Sequence, residues 1–377
     1  MDHPVQICSR CVMDSTVRGI WFDANGVCNF CHMHDALEKK YPLTADGAKQ
    51  FHALIEEIKQ SGSNKEYDCI VGVSGGRDST YTLAVAKKSG LRPLAVHFDN
   101  GWNSETATRN IHNAVKKLDV DLHTHVASWE EFKDLQVAFL KASVPDVEVP
   151  TDFAIISVLY DVAREHGIRN ILIGHSFRTE GIAPREWTYM DARYIRAIHR
   201  MFGTNSLTSV PLLTMSQLIY YTIAKKMRFI HVPEMIRYEH ADVNRVIEEE
   251  LGWQYYGGHH HESIYTEFIQ SYLLPKKFGI DKRRLEYSAL IRSGQMERAN
   301  ALVDLQKPYP IRLDLLPYVL KKLDLSQNEF DAIMALPPKS FHDYPSYYPL
   351  MRLLRHPIRI ACSCNLLPQV MYEKFFS

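Results

Sequence analysis

Neither sign of charge predominates in this chain of 377 residues: lysine plus arginine and aspartate plus glutamate each total 44, so the formal net charge is zero. A dedicated nucleic-acid binder draws affinity from neutralising phosphates with a basic surface, so the balance argues against nucleic acid as a partner while leaving room for a local basic groove. Long apolar runs are also missing. No stretch reaches the roughly 18 apolar residues that a membrane span needs. The best approach, residues 212–230, is broken by Gln217, Lys225, Lys226 and Arg228 and reads as one amphipathic helix of a soluble protein. The opening MDHPVQICSRC has no basic segment followed by an apolar run, so no secretory signal is read there. A cytoplasmic location follows as the expectation, and there the seven cysteines serve as metal ligands or free thiols rather than disulfides. Internal repeats, low-complexity tracts and long linkers are absent as well.

What is present is enough apolar content, 46%, to bury a sizeable core in two or three domains. Three zones are expected. Residues 1–45 hold four cysteines in turn-rich sequence with too little apolar content for a core of their own. Residues 46–230 alternate short and long apolar patterns. Segments 68–73, 93–98, 121–126 and 170–173 are short and rich in β-branched residues and read as buried strands. Between them, 79–89, 106–117, 129–141 and 152–166 carry helical spacing, with Gly90 and Gly167 as helix stops. Such alternation predicts an α/β fold, a doubly wound parallel sheet covered on both faces. Residues 231–377 read as a mostly helical region for substrate or partner.

The first strand runs into Ser74-Gly75-Gly76-Arg77-Asp78-Ser79, after which a helix begins. Glycines let backbone approach a ligand closely, and the free amides at a helix start attract anions. With two hydroxyls added, the turn suits an oxyanion such as pyrophosphate. The plainer reading is a tight strand-to-helix connection capped by Asp78 or Ser79. Neither G-x-x-x-x-G-K-[ST] nor G-x-G-x-x-G fits. The hexapeptide instead resembles S-G-G-x-D-S, the pyrophosphate (PP) loop of the N-type ATP pyrophosphatases. That resemblance implies ATP cleaved between its α and β phosphates, AMP transferred to a substrate oxygen, pyrophosphate resting on the turn, and Asp78 helping to hold Mg²⁺. It also marks two further strand ends. Asp99 and Asn100, after the second strand, face the adenosine or are ordinary turn residues. Gly174, His175, Arg178 and Glu180, after the 170–173 strand, stand at nucleotide and metal or form a capped loop. The predicted catalytic set is Asp78, Ser74, Ser79 and His175.

Cys8-x-x-Cys11 and Cys28-x-x-Cys31, with sixteen residues between the pairs, have the spacing of a four-thiolate zinc site. Two such knuckles staple a segment too small to fold alone, so the zinc is expected to be structural. Cys69 reads as a buried strand residue, and Cys362 and Cys364 as a redox-active pair or, more simply, free thiols.

Three stretches together carry a narrower resemblance: "ICSRCVMDST…IWFDANGVCNFC", "SGGRDSTY" and "GWQYYGGHHHESIYTEFIQSYLLPKKFGIDKRR". They are similar to the N-acetyl sugar amidotransferases of bacterial surface-polysaccharide synthesis, of the WbpG and PseA type. The resemblance implies conversion of the acetamido group of a nucleotide-linked sugar into an acetamidino group, for lipopolysaccharide O-antigen or a related glycan. No glutaminase signature is visible, so the family points to a separate glutamine amidotransferase, HisH/HisF-like, as the source of ammonia. Residues 252–284 are the expected sugar region. There Trp253, Tyr255 and Tyr256 can stack, and Lys276, Lys277, Arg283 and Arg284 either neutralise phosphate or form a solvated basic helix end. The run His259-His260-His261-Glu262 invites a second-metal reading, against which adjacent histidines point in different directions. The rival reading is a tRNA thiolase, which also joins N-terminal zinc knuckles to a pyrophosphate loop. Such enzymes usually need a cysteine pair in the nucleotide domain, where this chain has only Cys69.

Overall fold

Five short stretches pair side by side in the computed structural model, which describes residues 5–258 and 260–363. They are Cys69–Gly72 (β1), Pro93–Asp99 (β2), Leu122–Val126 (β3), Asn170–Ile173 (β4) and Arg228–His231 (β5). All pairings are parallel, in the order β3-β2-β1-β4-β5. Parallel neighbours require crossover connections, and here helices supply them: Arg77–Lys88, Glu105–Leu118, Trp129–Ala142 and Val149–Glu165. Gly90 and Gly167 follow two of these helices at φ +78° and +64°. The chain works outward from β1 through β2 to β3, then returns to the far side of β1 for β4 and β5. The order therefore reverses between β1 and β4, the place where open α/β sheets bind ligands.

Side chains alternate between the faces of a strand, and the core follows that alternation. Val71, Ala95 and Leu172 pack with Leu83, Ile111, Ile247 and Leu251 on one face. Ile70, Leu94, Val96 and Ile171 pack on the other with Phe139, Val158 and Leu159. That second cluster continues without a break into Phe268, Val319 and Phe330 of the C-terminal helices Ile264–Phe268, Leu315–Lys322 and Gln327–Ala335. Phe132, Phe139 and Phe268 are fully buried, each contributing about 2 kcal/mol by removal of apolar surface from water.

Two expectations need correction. β3 is not a buried strand but the sheet edge, with Leu122 39% and Val126 68% exposed. Residues 212–230 are not one helix. Met215–Ile219 continues as a wider π turn, Tyr220–Ala224, the chain reverses at Lys226 with φ +53°, and Arg228–His231 leaves as β5. The physical reason is tertiary: Arg228–His231 pairs with Asn170–Ile173, and those hydrogen bonds outweigh the local helical spacing.

The N-terminal zone is held by short antiparallel bridges, Ile7 with Asp14 and Phe22 with Cys28, before the helix Asn29–Lys40. Its apolar side chains do not close on themselves. Phe30 and the cysteines share a cluster with Trp187 and Leu285, so the knuckle is completed by later parts of the chain. No helix among the described residues is long and apolar enough to cross a membrane.

Candidate nucleotide site and cysteine centre

The turn after β1 is tied by its own hydroxyls. Ser79 Oγ accepts from the Ser74 amide at 3.1 Å and donates to the Gly76 carbonyl at 3.2 Å, and Ser74 Oγ accepts from the Gly76 amide at 3.2 Å. The helix Arg77–Lys88 starts immediately after, leaving its first amides unpaired within the helix. Gly75 has φ +79°, and a Cβ there would lie 2.3 Å from the Ala107 carbonyl oxygen. Its own carbonyl accepts from Trp253 Nε1 at 3.0 Å and Asn110 Nδ2 at 3.1 Å. The end of β4 closes on the same turn: a Cβ on Gly174 would meet the Asp78 carbonyl carbon at 2.5 Å. Main chain thus packs directly on main chain where β1 and β4 diverge.

Charged side chains from both halves of the chain surround this turn. A cavity of about 110 Å³ is lined by Ser74, Asp78, Glu180, Tyr256, His260 and Glu262, together with Gly76, Arg77, Ser79, Gly174 and His175. Glu180 meets His175 Nδ1 at 2.7 Å and His260 Nε2 at 3.5 Å, and His260 Nδ1 meets Glu262 at 3.4 Å. Burial opposes ionisation of Glu180, but the two histidines outweigh it and hold its carboxyl well below the ordinary range. Burial likewise opposes the charge on His260, and Glu180 and Glu262 overcome that, raising it well above a normal imidazole. Asp78 differs. Burial first and the Glu180 charge second push it up to about 6, against the pull of Arg77 and of the Tyr238 hydroxyl that donates to it. Glu286, on the helix Arg283–Arg292, is pushed up to about 7 by burial, with His260 and Arg77 opposing.

The other site candidates fall in different places. Asp99 and Asn100 shape the loop after β2: Asp99 accepts from the Gly101 amide at 2.8 Å, and the buried Asn100 accepts from the Trp102 amide at 3.2 Å. That loop in turn grips the segment carrying Glu262, through Ser104 N to Glu262 O at 2.8 Å and Ile264 N to Trp102 O at 2.9 Å. Lys276 and Lys277 are not brought to the turn. Lys276 sits 3.9 Å above the Tyr272 ring, and Lys277 donates to the carbonyls of Ile333, Met334 and Leu336 at the end of the helix Gln327–Ala335. Arg283 pairs with Asp281 at 2.7 Å and Arg284 with Asp14 at 2.9 Å. Arg178 is buried and donates to the carbonyls of Glu234 and Tyr41. Trp253 and Tyr256 lie against the turn, while Tyr255 is exposed. His259 and Cys364 lie outside the described residues, and Cys362 is buried. Asn110, Tyr238 and Glu286 were not legible as site residues, since nothing in their local sequence marks them.

Cys8, Cys11, Cys28 and Cys31 are fully buried, with all four sulfurs within 4.8 Å of one another. Three Sγ–Sγ separations are 3.7, 3.8 and 3.9 Å. A tetrahedron of about 2.3 Å zinc–sulfur bonds has edges of about 3.8 Å, so the set fits a zinc ion. Amides of Arg10, Cys11 and Cys28 point at Cys8 Sγ, at 3.4, 3.5 and 3.2 Å, as thiolate acceptors require.

Two family models match. Residues 68–180 match "Queuosine biosynthesis protein QueC", and residues 262–356 match "LPS biosynthesis protein WbpG-like, C-terminal domain". The chain carries a QueC-like PP-loop ATP pyrophosphatase domain and a WbpG-like C-terminal domain. Among curated proteins it is 33% identical over 118 residues to an uncharacterized protein of Methanocaldococcus jannaschii, covering 30% of this chain and 40% of that one. It is 30% identical over 125 residues to 7-cyano-7-deazaguanine synthase of Aliarcobacter butzleri, covering 30% and 54%. The chain thus spans about half or less of the length of these curated relatives. Among solved structures, NMN synthetase from Francisella tularensis aligns over 77% of this chain and 98% of its own, at 15% identity and a TM-score of 0.29. The WbpG-like match begins at Glu262, whose carboxylate lies 3.5 Å from Ser74 Oγ of the PP loop. The two domains therefore meet at the cavity.

Proposed function

We propose that this protein adenylates the acetamido oxygen of a nucleotide-linked N-acetyl sugar with ATP and lets ammonia displace AMP, giving an acetamidino sugar for a bacterial surface glycan. The observation that carries the reading is the meeting of Glu262 and Ser74, which puts a WbpG-like domain on the rim of a PP loop. An amide oxygen is a poor leaving group. Attack of that oxygen on the α-phosphorus breaks the α–β bridge, and pyrophosphate leaves onto the amides and hydroxyls of Ser74, Gly75, Gly76 and Ser79. Ammonia then adds to the imidate carbon, AMP departs with the oxygen, and a proton lost from nitrogen leaves the amidine.

Gly75 and Gly174 let the turn pack main chain against main chain, on Ala107 and on Asp78 and Ser79, where a methyl group would strike. This holds the amides and hydroxyls at the start of the helix Arg77–Lys88 in place for a polyphosphate. Asp78 and Glu180, which line the same cavity, would hold Mg²⁺, which neutralises charge on the departing pyrophosphate when bound. His175 fixes Glu180, and Asn100 and Asp99 order the loop on the adenosine side. A structural zinc on the four cysteines would staple the knuckle and leave no open coordination position. Ammonia would come from a separate glutamine amidotransferase. The thiolase reading is disfavoured because Cys69, the single cysteine of residues 46–230, is fully buried in β1 with its thiol pushed up by burial.

The test is a panel of UDP-linked acetamido sugars incubated with ATP, Mg²⁺ and ammonium, with nucleotides and sugar mass followed together. AMP, pyrophosphate and a product lighter by about one mass unit, as NH replaces O, are expected. Formation of ADP, or AMP release stimulated by tRNA and by no sugar, sinks the reading.

A further inference from the structure

The four cysteines form a compact anionic centre once metallated: one Zn²⁺ on four thiolates leaves a net charge of −2, buried out of reach of water. The N-terminal zone offers little to balance it. Arg10, between Cys8 and Cys11 in the chain, is paired with Asp35, its Nη1 donating to both carboxylate oxygens at 2.7 Å. The counter-charge comes instead from the last turn of the helix Arg283–Arg292. Arg292 is 7% exposed, donates from Nη2 to Cys11 Sγ at 3.4 Å, and has no carboxylate partner among the described residues. Its Nε and Nη1 are buried without an acceptor. A guanidinium so placed is costly unless a negative charge sits beside it, and the sulfurs are that charge.

The same helix fastens the knuckle elsewhere. Ser288 Oγ accepts from the Val12 amide at 3.2 Å, and Arg284 reaches the Val12 carbonyl at 3.1 Å. Arg298, just beyond it, donates to the carbonyls of Cys8 and Cys11 at 2.8 and 2.9 Å. Those bonds position backbone; only Arg292 touches sulfur among these side chains.

We propose that Arg292 is the charge partner of the Cys8–Cys11–Cys28–Cys31 centre, so that metal retention by the N-terminal knuckle depends on the WbpG-like domain. The inference stands apart from the amidine chemistry and is unaffected if that chemistry fails.

The test uses the full-length zinc-loaded protein and a zinc-binding dye titrated at fixed pH, reading the dye concentration that strips half the metal. Arg292→Met keeps the length and removes the charge; it should release zinc at a dye concentration at least about tenfold lower, the usual effect of removing a group that supports a metal ligand. Arg292→Lys keeps the charge and loses the fork, and should recover most of that difference. Should the Met variant fail to fold, Arg292→Gln, neutral and still able to donate, is read in its place with the same expectation. Zinc held equally by the wild-type and neutral variants overturns the proposal. So does equal loss from the Lys and neutral variants, which would mark a packing role, and so does a wild-type protein purified without zinc.

Discussion

The Tyr238 hydroxyl donates to the Asp78 carboxylate from a residue 160 positions away in the chain. Asp78 stands above its ordinary value of 3.8, at about 6, because burial and Glu180 disfavour its charge, and the tyrosine partly offsets them. The sign follows. Between about pH 4 and 6 the folded chain keeps a proton that the unfolded chain has released, so this group costs stability as pH rises through that window. On the role proposed for Asp78, binding of Mg²⁺–ATP would draw on the ionised carboxylate, so affinity should rise from pH 5 to 7. Tyr238→Phe removes the donor that favours ionisation. A hydrogen bond worth about 1 kcal/mol corresponds to roughly 0.7 pH unit, so the midpoint of the affinity profile should move alkaline by that much. Calorimetric ATP titrations across pH 5 to 8 measure it, and an acidic shift would contradict the assignment.

Gly174 allows β4 to approach the start of the helix Arg77–Lys88. A Cβ there would sit 2.5 Å from the Asp78 carbonyl carbon and 2.6 Å from the Ser79 amide nitrogen, both main chain and unable to swing aside. Gly174→Ala should therefore cost about 1–3 kcal/mol of stability and open the turn, lowering ATP affinity with it. Gly167→Ala is the control. It sits at φ +64° with nothing within 4 Å of the added methyl, so it should lose about 1 kcal/mol through strain alone and bind ATP normally. Urea unfolding and ATP titration on both variants decide the matter.

Lys277 separates a phosphate role from a helix-end role. Its ammonium donates to three carbonyls at the end of the helix Gln327–Ala335, an arrangement that complements unpaired carbonyls and the negative helix terminus. Lys277→Met should lower stability by about 0.3–1 kcal/mol and leave the KM for ATP unchanged. A severalfold rise in KM with unchanged thermal stability would restore the lysine to the phosphate site.

That lysine also marks where sequence reading stops. The β1 turn was legible because strand, bared glycines, hydroxyls and helix start are consecutive, and the four cysteines because their spacing is itself the geometry. The partner of a long cationic side chain is not local: the sequence leaves Lys277, Arg283 and Arg284 between phosphate and a basic helix end, and in the structure they meet the end of the helix Gln327–Ala335, Asp281 and Asp14. β5 was hidden for the same reason. Its helical spacing yields to pairing with β4, which lies 58 residues earlier in register. Tyr238 and Asn110 carry no mark in sequence; both gain their place only once β1 and the segment after residue 231 are brought together.

The knuckle gives the remaining prediction. Cys28 contributes one of the four sulfurs, and its amide also donates to Cys8 Sγ at 3.2 Å. Cys28→Ser leaves three thiolates and a weak oxygen ligand, so zinc content should fall from about one per chain to a small fraction of that. Since the zone has no core of its own and leans on Trp187 and Leu285, loss of the metal should release it from the helix Arg283–Arg292 and expose that helix to aggregation. Cys69→Ser makes the comparison fair. That thiol is also fully buried but sits in β1 away from the cluster, so serine there should cost about 1–3 kcal/mol for an unpaired hydroxyl and leave zinc untouched. Metal analysis alongside solubility separates the two. A soluble Cys28→Ser protein that keeps its zinc would mean that the four sulfurs converge for packing alone.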